Sequence, residues 1–427
     1  MTDFVDDDKR WSFKKLMFFR FFFTYFLLFV SYDLITRLGS MINIPFQIHH
    51  DFFLWIGQTV FEIPHNGLVV NDNFVDTTYQ YVALFCIFII SIVIVFFWTG
   101  IASKVENYRS LYYWLRVVLR FYVGFILVNY GLVKLFQLQF PEPSLFRLVD
   151  TYGNSSPMEL AWSFLGYSKG YNLFMGIAEI MSLFLFFRRT LTFGLLVTFA
   201  VTINVLAVNF FYDIPLKIIT SHLVLFTMFL LAHDFKNLIN FFFNKKEVAL
   251  TLLNKPKVLN NITAKKGVVA LKSIFLVLIF VLATYKLNKR NTILNGEFSK
   301  SQFYGIYDAI SFEKNGNLIT SSNKWDKKWK YLIMEYRGRV QLVDDNNNVS
   351  LFSSSIDSIV GSIKLISDNY LTDTLTLSYE KHSDSKIIFK SKVNGDSIKV
   401  TCQILKERDF LLMKSEVNLI NDDPFKR

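Results

Sequence analysis

Apolar residues crowd out polar ones in seven stretches, at about 17–37, 79–99, 114–136, 171–187, 191–212, 216–233 and 267–285. Each approaches or exceeds the roughly 18–20 residues that a helix needs to cross a bilayer, so each is predicted as a membrane span. The first, LMFFRFFFTYFLLFVSYDLI, is too long and too aromatic for a cleaved signal peptide, and no small-residue cleavage site follows it. It reads as an anchor.

After Asn291 the pattern shortens and alternates. Apolar and polar residues take turns over Lys330–Tyr336, Val340–Val343, Val349–Phe352, Ser362–Ile366, Leu375–Tyr379, Ile387–Val393, Ser397–Ile404 and Phe410–Met413. The turn formers DDNNN (344–348), SDN (367–369), HSDS (382–385) and NGDS (394–397) separate them, and Asn-Gly at 394–395 is the sharpest hairpin signal. Short strands at this spacing predict an antiparallel β-sandwich or small β-barrel, its interior open to a lipophilic ligand or filled by its own side chains. The chain is therefore expected to comprise four parts. Residues 1–113 form a two-span segment with an outer loop, and 114–235 a four-helix membrane bundle. Residues 236–290 form a basic loop and a seventh span, and 291–427 a β-rich domain.

Composition agrees: 52% of the 427 residues are hydrophobic, and 47 are Phe. The formal charge of +11 does not form a nucleic-acid surface, because it is spread over particular loops. Lys9, Arg10, Lys14 and Lys15 precede the first span, while Lys104 and Arg109 follow the second. Arg188 and Arg189 follow the fourth, and Lys236, Lys245, Lys246, Lys255, Lys257, Lys265 and Lys266 lie between the sixth and seventh. The intervening loops are poor in cations, with no Lys or Arg from Leu38 to Ser103. This alternation follows the positive-inside rule and predicts a cytoplasmic N-terminus and an outer, in bacteria periplasmic, β domain. Cys86 and Cys402 lie in a span and in the tail, so neither a disulfide between them nor a cysteine metal site is expected. His49, His50, His65 and His233 are scattered, and no metal site is predicted from them.

Chemistry concentrates where ionisable residues enter the spans, because such groups are costly at membrane depth unless paired or hydrated. On the third span Arg116, Arg120, Gly124, Leu127, Gly131 and Lys134 share one helical face. The glycines admit a close neighbour, and Arg116 is expected to reach cytoplasmic headgroups. Glu179 lies about 12 Å into the fourth span. The stretch NVLAVNFFYDIPLKIITSH adds Asn204, Asn209, Tyr212, Asp213, Lys217 and His222, with Pro215 ending the fifth span and Asp213 expected to cap the sixth. Lys134, Glu179, Asn204, Asn209, Tyr212, Asp213, Lys217 and His222 are thus the candidate ligand-binding set, and Arg120, Gly124, Gly131 and Pro215 the structural one. They make either an ion-paired network that fixes the bundle or a polar cavity open to the outer side. The loop from Pro141 to Lys169 is a candidate lid over that cavity, with Gly39–Thr78 adding cover.

On these motifs, residues 117–235 resemble a DoxX-type membrane domain, related to the DoxD subunit of thiosulfate:quinone oxidoreductase. The resemblance rests on RFYVGFILVNYGLVKLFQLQFP, GIAEI and NFFYDIPLKIITSHLVLFTMFLLAHD. Together with YRSLYYWLRVVLRFY, the loop FPEPSLFRLVDTYGNSSPMELAWSFLGYS and a β-rich tail ending INDDPFKR, the whole is similar to longer DoxX-like proteins of Bacteroidetes. The family pattern falls on Arg120, Gly131, Lys134, Glu179, Asn209, Asp213, Pro215 and Lys217, with no catalytic residue firm enough to transfer. It implies a bacterial inner-membrane protein and a quinone link. Lys134, Tyr212 or His222 would donate to a quinone carbonyl, and Glu179 or Asp213 would relay protons. The sequence offers no haem, iron–sulfur or nucleotide motif, so an electron carrier would come from a partner. Three function classes stay open: a quinone- or lipid-binding protein of a redox or envelope process, a scaffold presenting its β domain to a periplasmic or membrane partner or a lipid, and a small-solute transporter. Whether the chain is an enzyme is open too. No inverted repeat supports transport.

Overall fold

Apolar segments of this length satisfy their backbone internally as helices, and the described residues before Lys300 form helices joined by turns and loops. A computed structural model describes residues 10–42, 47–68, 75–102, 104–249, 262–296, 299–319, 328–357, 359–368, 374–393 and 395–414. Lys9, Lys255 and Lys257 of the charge pattern, Asn369 and Asn394 of the turn clusters, and the closing INDDPFKR lie outside the described residues. The helices are α1 (Phe13–Ile42), α2 (Gln47–Thr59), α3 (Thr78–Ile101), α4 (Arg109–Leu135), α5 (Leu145–Val149), α6 (Pro157–Tyr167), α7 (Lys169–Ile180), α8 (Leu191–Phe211), α9 (Lys217–Leu231), α10 (Phe235–Phe242) and α11 (Ile262–Asn295). A 3-10 segment, Met181–Phe186, continues α7.

Among the described residues five helices are long and apolar enough to cross a membrane: α1, α3, α4, α8 and α11. A sixth crossing arises if α9 and α10, bent 77° apart, count as one broken span. Phe96, Phe97, Phe174, Phe193 and Phe210 point outward, an exposure of large apolar side chains that a water-facing surface would not sustain. These helices have the build of a membrane protein.

The chain divides into two compact units. The first holds Met1–Phe140, Pro157–Ala161 and Ser168–Lys286. Its core joins α1, α4 and α9 through interlocked rings, with Phe26 4.8 Å from Phe226 and 5.3 Å from Phe229, both edge to face. Helix α11 packs Phe275 against Phe121 and Phe186, but no residue of its apolar window is buried, so it stands at the margin of its unit.

The second unit holds Leu287–Arg427 with Pro141–Ser156 and Trp162–Tyr167. Its strands are β1 (Lys300–Lys314), β2 (Asn317–Leu318), β3 (Trp329–Tyr336), β4 (Arg339–Asp344), β5 (Val349–Asp357), β6 (Ser362–Ser367), β7 (Thr374–Ser383), β8 (Lys386–Val393) and β9 (Asp396–Leu405). All pairings are antiparallel in sequence order, and β1 returns to pair with β9 from Ile306↔Leu405 to Lys314↔Ile398. Eight strands therefore close a barrel, with the two-residue β2 folded back on β1. It is a barrel and not a two-layer sandwich: closure removes both edges and the exposed backbone groups they would carry. Leu332, Ile363, Leu365, Leu377, Phe389 and Cys402 are among the side chains that fill its interior.

Seven of the eight predicted strand runs form strands. The eighth does not: Leu411–Lys414 is a helical turn, α12, after a 3-10 turn at Glu407–Asp409. The closing strand is instead β1, whose fifteen residues lack a clean alternation because a register shift falls between Ala309 and Ser311.

Candidate functional site

Helices α4, α7, α8 and α9 surround one another as a four-helix bundle, and glycine decides how closely two of them meet. A methyl group at Gly131 would fall 2.7 Å from the Gly176 carbonyl oxygen, and one at Gly176 would fall 2.9 Å from the Gly131 oxygen. Only hydrogen fits at either position, so α4 and α7 touch backbone to backbone. One turn further along each helix, the short separation brings Lys134 and Glu179 together. The ammonium donates to both carboxylate oxygens, at 2.8 and 2.9 Å, with the two side chains 8% and 3% exposed. The rings of Tyr130 and Phe140 lie 5.8 and 5.6 Å from the same nitrogen.

This pair lines a cavity with Tyr130, Gln139, Asn209 and Thr220, closed by apolar side chains of α4, α8 and α9. The space open to water centres is about 30 Å³, within about 400 Å³ of empty volume that includes the mouth. That is room for about two waters. Asn209 donates to the Leu216 carbonyl and the Thr220 hydroxyl, each at 3.3 Å, and so ties α8 to α9 across the cavity. Gln139 directs a buried side-chain oxygen that has no hydrogen-bond partner among the described residues. With Thr202 also on the wall, it offers a cation, a carboxylate, two amides and three hydroxyls.

Of the eight predicted ligand-binding residues, Lys134, Glu179 and Asn209 line this cavity. Asn204 does not: it is exposed on the opposite side of α8 from Thr202, Val205 and Asn209. Tyr212 is exposed where α8 ends. Asp213 adopts φ 51°, its side chain is 82% exposed, and it meets Lys217 Nζ at 2.6 Å away from the cavity. His222 is buried elsewhere, its ring stacked 3.6 Å from that of Phe29. Its Nδ1 lies 2.7 Å from the Ile218 carbonyl and must donate there, so Nε2 accepts from the Tyr25 hydroxyl at 2.8 Å.

Two further expectations need correction. Asp213 does not cap α9. Asp76 does, accepting from the backbone N–H of Lys217 (2.5 Å) and Ile218 (3.0 Å), while its own N–H donates to the Pro215 carbonyl at 3.1 Å. Arg116 does not reach out to headgroups. It is buried and donates to the Leu230 carbonyl at 2.7 Å and the Tyr112 hydroxyl at 3.3 Å, because the last turn of α9 leaves carbonyls without helical partners. The loop after Pro141 is anchored within its own unit. Leu145 packs with Ile306, Ile333 and Val343, and its N–H donates to Glu335 Oε1 at 3.2 Å, within the barrel unit.

The sequence reading passed over a second buried cluster. Asp33, fully buried on α1, accepts both its oxygens' bonds from Arg37 Nε (2.9 and 2.8 Å) and one from the Tyr122 hydroxyl (2.7 Å). Its signal was present in SYDLITRL, where a carboxylate and a guanidinium stand four apart near the end of an apolar helix. Tyr130, on the cavity wall, interacts electrostatically with Arg37, so the two clusters adjoin.

No protein-family model matches the chain, and no solved structure matches it. The chain is similar to a Bacillus subtilis (strain 168) protein described as "Uncharacterized protein YwoB", 28% identical over 124 residues, which are 29% of this chain and 79% of that protein.

Proposed function

We propose that the chain is a DoxX-like integral membrane protein of a bacterial inner membrane whose helix bundle receives the oxygen-bearing tip of a small amphiphile, a quinone carbonyl or a lipid-like headgroup. The single observation that carries this reading is the buried Lys134–Glu179 pair on the wall of a polar cavity. Two charges at this depth are costly, and a bundle that needed only rigidity would do as well with packed hydrocarbon. The cavity's volume limits the ligand: a ring does not enter a space of two waters, whereas an oxygen at the ring's edge does. Lys134 would donate to that oxygen, with Glu179 holding the ammonium in place and accepting a proton.

Seven crossings suit this reading. The α7 helix and its 3-10 continuation give 12 and 6 residues, and the longer 3-10 rise brings them to roughly 30 Å, the thickness of the hydrocarbon layer. Pro141–Ser156 belongs to the same compact unit as the barrel, and on this reading the two share one side of the membrane. Between them the chain must then cross an even number of times, which α7, α8, α9 and α11 satisfy. The loop charges make that side the periplasm.

A second reading, a scaffold that presents the barrel to a partner, draws on a different fact: both Glu179 oxygens are already taken by Lys134. Mass spectrometry of lipid-soluble compounds from the purified protein separates the two. On the proposed function a quinone or lipid co-purifies, and Glu179→Gln or Lys134→Met lowers its retention roughly ten-fold, the worth of a charge-assisted hydrogen bond. Equal retention in wild type and both variants, each still folded, leaves the scaffold.

A further inference from the structure

Three arginines are buried at the basic end of the helical unit, where α4 begins, and they do not share one fate. Arg20 donates to the Tyr108 hydroxyl (3.0 Å), the Thr99 hydroxyl (2.9 Å) and the Ala102 carbonyl (3.0 Å). Arg116 is satisfied by Leu230 and Tyr112. Arg120, only 7% exposed, donates no hydrogen bond among the described residues, and its Nε is buried without a partner. The nearest compensation is the Phe121 ring, 5.3 Å from the guanidinium carbon. Among neighbouring groups Tyr113 acts on it most and favourably, while Arg188 and then Arg116 act repulsively. No carboxylate acts on it among the described residues.

An arginine cannot escape this by losing its proton, since its guanidinium stays charged in proteins. A buried cation flanked by cations is strongly unfavourable unless an anion joins it. Lys272 on α11 lies over the Phe187 ring at 5.9 Å, and Phe275, one turn on, packs against Phe121 and Phe186. Arg120, Arg188 and Lys272 therefore border one aromatic seam between α4, the 3-10 segment and α11.

We propose that this seam binds the phosphate of an anionic lipid, with Arg120 as the principal ligand and Arg188 and Lys272 as flanking cations. Depth selects a lipid. Arg120 lies eleven residues into α4, about 16 Å along the axis, and its side chain reaches back toward the helix start by about one turn. The guanidinium thus sits near the boundary between headgroups and hydrocarbon, where a lipid phosphate resides and its chains can lie along Phe121 and Phe275. The site stands apart from the Lys134 cavity and does not depend on what that cavity binds.

The test is native mass spectrometry of the full chain in detergent, titrated with phosphatidylglycerol, phosphatidylcholine or inorganic phosphate, paired with thermal unfolding. Wild type is expected to retain phosphatidylglycerol and to gain thermal stability from it, with phosphatidylcholine and free phosphate giving neither. Arg120→Gln lowers retention roughly ten-fold, the equivalent of one lost charge-assisted bond, while Arg189→Gln, on the neighbouring exposed position, leaves it unchanged. Without anionic lipid the sign reverses: Arg120→Gln melts higher than wild type, because an uncompensated buried charge is gone. Should Arg120→Gln fail to fold, Arg188→Gln carries the retention measurement. Equal phosphatidylglycerol retention in the variants, or equal stabilisation by inorganic phosphate, overturns the proposal.

Discussion

Asp33 and Asp213 show how little a carboxylate's sequence neighbourhood says about its worth. Each stands four residues before a cation on an apolar stretch, and each pairs with it. Asp33 is fully buried with three bonds to it, whereas Asp213 is four-fifths exposed. Asp33→Ala takes a fully buried carboxylate from Arg37 and Tyr122 and is expected to cost about 3 kcal/mol, whereas Asp213→Ala stays within about 1 kcal/mol. Chemical or thermal unfolding in detergent compares them, and equal losses would contradict the burial difference. The same logic explains why the charged residues flanking Pro215 drew attention and yet lie outside the cavity. Helix α8 stops at Phe211, so Asp213 falls in the turn and meets Lys217, the first residue of α9, away from the cavity.

Short elements carry more of the architecture than their length suggests. The five-residue α5 has Ser144 as its cap and docks on the barrel through Leu145 and Glu335. Burial raises the Glu335 carboxyl above its ordinary 4.5, with Glu407 adding to the rise and Leu145 N–H, Tyr336 and Lys300 opposing it. Between 4.5 and that raised value the folded protein keeps a proton that the unfolded chain has released. Barrel stability therefore falls as pH climbs through this window, and Glu335→Gln flattens the dependence. Cys402 reports the unfolding: it lies inside the barrel, burial pushes its thiol up to about 12, and a thiol reagent reaches it only when the barrel opens. An unchanged slope in Glu335→Gln would mean that this carboxyl is not its source. How much could be read ahead differs by element. Seven strands announced themselves by alternation, but β1 was missed because its register shift breaks the alternation.

The proposed seven crossings have a labelling signature. Tyr152 and Lys381 belong to the second unit and are exposed, and Lys245, which follows α10 in the first unit, is exposed too. With seven crossings, single cysteines at 152 and 381 react with a membrane-impermeant maleimide in intact cells, and one at 245 reacts only after permeabilisation. Both native cysteines are buried and should stay silent. Labelling of 245 together with the other two would remove one crossing from the count.

Apolar length, loop charge and strand alternation were legible residue by residue, because each depends on transfer between water and oil or on a short repeat along one element. They sufficed for a helical membrane part followed by an antiparallel β part, and for the single face of α4 that carries Lys134. Partners were another matter. Glu179 meets Lys134 only because Gly131 and Gly176 let two backbones touch, and Asp76, 141 residues before Lys217, supplies the cap that Asp213 seemed placed to give. Arg120 is left without an anion for the same reason: contact across helices depends on approach and rotation, which no local pattern encodes.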